Sequence, residues 1–116
     1  MAWMPVCPLD DLGDPDSRGV ELETPDGEAA VFVVRRDGHV LAYRNRCPHT
    51  GAPLDWMPGR FLDPEGEMIV CATHGALFRI DDGYCVFGPC RGQSLTPVPS
   101  LCEAGTVYVM TAPGTD

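Results

Sequence analysis

Cys47-Pro48-His49-Thr50-Gly51-Ala52-Pro53-Leu54 and Cys71-Ala72-Thr73-His74-Gly75-Ala76-Leu77-Phe78 carry most of the chemistry this chain displays. Stripped to reactive side chains they read Cys-x-His, twenty-one residues, then Cys-x-x-His. Each half offers one thiolate and one imidazole. That set suits a two-iron, two-sulfide cluster in which one iron takes both thiolates and the other both imidazoles. The cysteine and histidine of each short stretch then reach adjacent metals. Two neutral imidazoles in place of two thiolates leave the oxidised group less negative by two charges, so it accepts an electron more readily than a four-cysteine cluster. One-electron transfer is the chemistry such a pattern implies, with one cluster per chain.

Two cysteines and two histidines can also hold a tetrahedral zinc ion. Zinc sites usually group like ligands, C-x-x-C before H-x-x-x-H, with at least two residues between neighbours. Here the order alternates and the first spacer is a single residue. The iron–sulfur reading leads, and a zinc-stabilised binding module remains the alternative from a different class.

The chain has 116 residues, enough for one domain over 1–116 with a modest core. Eight basic residues against 17 acidic ones give a net charge of −9. That balance argues against nucleic acid and against an anionic membrane surface, and it suits docking to a basic patch on a partner. No apolar run approaches the about 18 residues of a membrane span. The segment Met1-Ala2-Trp3-Met4-Pro5-Val6-Cys7 shows neither the basic region nor the long apolar stretch of a secretory signal, so a cytoplasmic location is expected. The four cysteines outside the motif, Cys7, Cys85, Cys90 and Cys102, are expected to be small buried hydrophobes. A Cys85–Cys90 disulfide is the minor alternative.

Short strands broken by turns make up the rest. Val31–Val34 and Val40–Tyr43 flank Arg36-Asp37-Gly38, a hairpin signal because Asp-Gly tolerates positive backbone angles. Met68–Val70 enters the second cysteine stretch, Leu77–Ile80 leaves it, and Asp81-Asp82-Gly83 turns the chain into Tyr84–Phe87. Ser100–Cys102 and Thr106–Met110 flank Glu103-Ala104-Gly105. Leu9–Leu12 has room for one helical turn. With 12 prolines and 13 glycines spread throughout, an all-β fold of small antiparallel sheets is expected, both cysteine stretches lying on loops.

With these residues in view, the chain resembles the Rieske [2Fe-2S] domain family over nearly its whole length. The two quoted stretches, Asp81-Asp82-Gly83, Gly88-Pro89-Cys90, Leu95-Thr96-Pro97-Val98-Pro99 and Gly105–Val109 all match family features. The resemblance implies three antiparallel sheets with a cluster-binding subdomain, about 45–90, built on two loops and covered by a proline-bearing third. It implies Cys47 and Cys71 on the inner iron, His49 and His74 on the outer one. Respiratory members carry an extra cysteine in each ligand loop, where this chain has Ala52 and Thr73. They also carry a serine and a tyrosine where it has Ala76 and Phe78. Those hydroxyls donate hydrogen bonds to cluster sulfurs, so their lack implies the low-potential, ferredoxin-like branch, at about −150 mV.

The function so implied is that of an electron carrier from a reductase to a terminal oxygenase or other redox enzyme, itself not an enzyme. The alternative is the small Rieske subunit of a larger oxidoreductase, similar to that of assimilatory nitrite reductase. An oxygenase needs a further iron held by two histidines and a carboxylate. Only His39 remains, on a hairpin, so the chain alone has no such site.

Overall fold

The computed structural model describes residues 2–24, 27–48, 54, 60–71 and 75–111. Among these residues ten strands fall into three antiparallel sheets, as expected. The first joins β1 (Ala2–Pro8), β10 (Thr106–Thr111) and β9 (Ser100–Glu103) in that order. The second runs β2 (Asp16–Thr24), β3 (Gly27–Arg36), β4 (His39–Arg44), β8 (Pro97–Val98). The third is β5 (Met68–Val70), β6 (Leu77–Arg79), β7 (Cys85–Phe87). A 3-10 turn over Leu9–Asp11 follows β1.

Both hairpin signals hold. Between β3 and β4, Asp37 and Gly38 take φ of 53° and 79°; between β9 and β10, Ala104 and Gly105 take 51° and 77°. The Asp14 carboxylate secures the first turn by accepting from the Asp37 N–H at 2.7 Å and the Gly38 N–H at 2.8 Å. Strand β1, whose apolar run is broken by Pro5, and β2, whose apolar residues are few, occupy sheet edges. Pro5 cannot donate to a ladder, and the register of β1 against β10 shifts between Pro5 and Cys7.

Alternation along β3 divides the interior. Val31 and Val33 pack with Val107, Val109, Cys7 and Leu12 between the first two sheets. Phe32 and Val34 point the other way, toward Phe61, Ile69, Phe78, Leu95 and four cysteines. Phe32 stacks on Phe61 with centroids 4.3 Å apart and planes within 5°. This second core anchors the third sheet.

Tyr43 fastens the junction between the second and third sheets. Its hydroxyl donates to the Ile80 carbonyl at 2.6 Å, and the ring is buried. Gly83 (φ +73°) lies so close that an added Cβ would stand 2.9 Å from Tyr43 Cε1. Burial, followed by the charges of Asp82 and Asp81, pushes the phenol from 10.0 up to about 12. The neutral form is therefore the one the fold favours. This contribution is complete below pH 10 and lost as pH rises through about 12. Tyr43→Phe should cost about 1–3 kcal/mol by stranding the Ile80 carbonyl. It should also abolish that part of the alkaline loss; urea midpoints of both proteins across pH 8 to 12 read both effects.

Candidate metal centre

Strand β4 ends at Arg44 and the chain enters the first cysteine stretch through Asn45 and Arg46. The Leu54 N–H donates to Asn45 Oδ1 at 2.7 Å, and the Asn45 N–H donates to the Ala30 carbonyl at 2.9 Å. One amide side chain thus draws the far end of this loop back to its neck. Nothing in the spacing singled out Asn45; its position directly after a strand and two before the cysteine was the available signal. Inside the neck, Cys47 is buried.

The second stretch grows from the β5–β6 pair. Ile69 stands opposite Phe78 and Val70 opposite Leu77. Beyond them the Cys71 N–H donates to the Ala76 carbonyl and the Gly75 N–H to the Cys71 carbonyl, each at 2.9 Å. Gly75 takes φ +66°, a conformation that needs no compensation in glycine. Cys71 is fully buried. The structure brings Cys47 and Cys71 into one buried cluster with Leu54, Phe61, Ala76, Phe78, Cys85 and Cys90. His49 and His74, with Gly51, Ala52 and Thr73, lie outside the described residues.

Strand β7 returns beside β6, with Phe87 opposite Leu77 and Cys85 opposite Phe78. Gly88 (φ +107°) then rests on the second stretch: an added Cβ would stand 2.9 Å from both Ala76 Cα and Ala76 Cβ. The segment that the resemblance expects to cover the site is therefore in contact with the second cysteine stretch at Ala76. At its base Cys85 and Cys90 are both buried free thiols, with Sγ atoms 3.0 Å apart. The Cys90 thiol is pushed up to about 12, first by burial and then by its hydrogen bond to Cys85. Cys7 is buried as expected, but Cys102 is exposed near the β9–β10 turn, which corrects its assignment as a buried hydrophobe. Phe87 is 61% exposed, with Arg46 and Arg91 also exposed. His39 is exposed at the start of β4, as its hairpin position implied.

Two buried thiols from separate loops are the donor set of one half of the predicted cluster. The family model for the Rieske [2Fe-2S] domain matches residues 2–104. The chain belongs to that family. It is 36% identical over 78 residues to human Apoptosis-inducing factor 3, a match covering 67% of this chain and 11% of the relative. A chain in the complex of reduced oxygenase and oxidised ferredoxin in carbazole 1,9a-dioxygenase superposes with a TM-score of 0.73 and 27% identity. That superposition covers 92% of this Rieske chain and 91% of the other. The ferredoxin of carbazole 1,9a-dioxygenase from Nocardioides aromaticivorans IC177 gives 0.74 at 22% identity, covering 97% and 100%. It shares the fold. Among the described residues no helix is long and apolar enough to cross a membrane.

The residues fit the group that the family carries. Soft thiols suit iron, and both lie in an apolar surround of Leu54, Phe61, Ile69 and Phe78 that keeps water from them.

Proposed function

We propose that this chain is a one-electron carrier, not itself a catalyst, which takes electrons from a reductase and hands them to a terminal oxygenase. The observation that carries this reading is the shared burial of Cys47 and Cys71 at the necks of two separate loops in a Rieske-family chain. Cys47 and Cys71 with His49 and His74 are the proposed ligands of one [2Fe-2S] cluster, which supplies reversible one-electron chemistry when bound. Family membership favours that cluster over zinc. The ferredoxin-and-oxygenase neighbours support the choice of partners.

The protein's own residues do the positioning. Asn45 closes the first loop, the paired Cys71 and Gly75 bonds close the second, and Gly88 pins the covering segment. Ala76 and Phe78 are buried and bring no hydroxyl, which supports a potential at the low end of the family. The whole chain is acidic, yet among the described residues the exposed side chains close in sequence to the buried cysteines include Arg46, Phe87, Pro89 and Arg91. Neither arginine has an ion-pair partner among the described residues. An apolar tip with a basic rim favours an acceptor site with an apolar pocket edged by carboxylates, rather than the basic patch that net charge alone implies. The cytoplasm, expected from the sequence, is the proposed location.

The test begins with metal analysis. Two irons and two labile sulfides per chain are expected; one zinc with no sulfide overturns the reading. With a reductase and a ferredoxin-dependent Rieske oxygenase, Phe87→Ala should keep its iron and raise the carrier concentration giving half-maximal turnover several-fold. Unchanged turnover would remove Phe87 from the docking face.

A further inference from the structure

Cys85 and Cys90 belong to none of the roles assigned so far. Their Sγ atoms are 3.0 Å apart, well inside ordinary sulfur–sulfur contact, so closing a covalent bond of about 2.05 Å needs a shift of only about 1 Å. Their environments differ. Cys85 lies in strand β7, its N–H bonded to the Gln93 carbonyl at 2.8 Å and its thiol directed to the Phe87 carbonyl at 3.3 Å. Cys90 follows exposed Pro89 and precedes exposed Arg91, Gly92, Gln93 and Ser94. It is buried in the core cluster but sits at the head of an exposed turn. That turn is held by an Arg91 N–H to Gly88 carbonyl bond of 3.1 Å, a long Gly92 N–H to Cys85 carbonyl contact of 3.4 Å, and a Gln93 N–H to Cys90 carbonyl bond of 2.9 Å.

We infer that Cys85 and Cys90 form a covalent modification site, a dithiol that a low-molecular-weight disulfide converts to an intramolecular disulfide across the base of the segment resting on Ala76. When the turn over 88–92 opens and water reaches the Cys90 sulfur, ending the burial that suppresses its thiolate, that sulfur attacks one sulfur of the small disulfide, forming a mixed disulfide and releasing one small thiol. The Cys85 sulfur then attacks the Cys90 sulfur and releases the second small thiol. Two protein S–H bonds are lost and one S–S bond forms. The two electrons and two protons end on the two released thiols. The order follows from placement: Cys90 sits at the head of the exposed turn and Cys85 waits in the sheet. The product fixes both ends of the stretch that carries Gly88, holding that glycine on Ala76. This chemistry is independent of the electron-carrier reading, since neither thiol is among the proposed ligands.

The experiment treats the purified, metal-loaded protein with oxidised glutathione. Free thiols are then alkylated under denaturing conditions and the peptides mapped by mass. Expected is a Cys85–Cys90 link, lighter by two hydrogens and lost on reduction. Exposed Cys102 carries a glutathione adduct and reports that the reagent was active. Cys85→Ser should stop at a stable glutathione adduct on Cys90; Cys90→Ser should leave Cys85 unmodified. Circular dichroism establishes that each variant is folded; should either fail to fold, the wild-type map decides alone. If Cys102 is modified while Cys85 and Cys90 are both alkylated, or if either links to Cys47 or Cys71 instead, the inference is overturned.

Discussion

Cys71→Ser should strip the protein of its iron and its visible absorption, and Cys47→Ser, His49→Ala and His74→Ala should do the same or leave a cluster that is rapidly lost. Each loop supplies one thiolate and one imidazole, and no further histidine lies in either loop. The two cysteines are fully or nearly fully buried, so water cannot enter as a substitute ligand without opening the apolar surround. Serine is a harder and far less acidic donor than cysteine and is poorly suited to iron beside sulfide. Iron content and the visible spectrum of each purified variant measure the effect. Cys102→Ser and Cys85→Ser are the controls: both should keep full iron, Cys85→Ser losing some packing because its thiol is buried. Iron retained in Cys71→Ser but lost in Cys102→Ser would show the ligand assignment to be wrong.

Much of this architecture is legible because it rests on local chemistry. Asp37-Gly38 and Ala104-Gly105 sit between apolar runs, and their positive backbone angles make hairpins of them. The ligand stretches are legible because metal chemistry restricts residue type and spacing together. Strands β1 and β2 are not. Pro5 and Pro8 interrupt the first, and Arg18-Gly19 the second, whose apolar face amounts to Val20 and Leu22. Both strands are held by pairing with richer neighbours, β10 and β3, which is information carried by other parts of the chain. Asn45 eluded the sequence because its partner is a backbone N–H nine residues away. Cys85 and Cys90 were visible as a pair, but their approach depends on the turn over 88–92 that folds one thiol back on the other. Cys102 shows the converse: a cysteine in an apolar strand pattern is exposed, because the strand leaves that position uncovered near a turn.

Gly88→Ala should be among the most disruptive single-methyl changes in the protein. Two costs add at that position. At φ +107° an L side chain is strained, by roughly 1–2 kcal/mol or more. The methyl would also stand 2.9 Å from Ala76 Cα and Cβ, and Ala76 is buried, so backbone must give way rather than a flexible side chain. Overpacking of that kind costs roughly 1–3 kcal/mol. Together they predict a loss of about 2–5 kcal/mol, read as a lowered urea midpoint. The direction of relief matters more than the size. Ala76 is tied to Cys71 through the Cys71 N–H, and Cys71 is a proposed ligand, so the second ligand loop is held from inside. The segment 87–94 is mostly exposed and is the part free to move outward. Its displacement would uncover the site. Gly88→Ala should therefore keep its iron when freshly prepared but lose it to a chelator at least several-fold faster than the parent. Gly92→Ala, at φ +92° with nothing within 4 Å, carries backbone strain without the collision. It should lower stability by roughly 1–2 kcal/mol and leave the rate of iron loss almost unchanged. Equal chelation rates for Gly88→Ala and the parent would show that contact with Ala76 does not guard the centre.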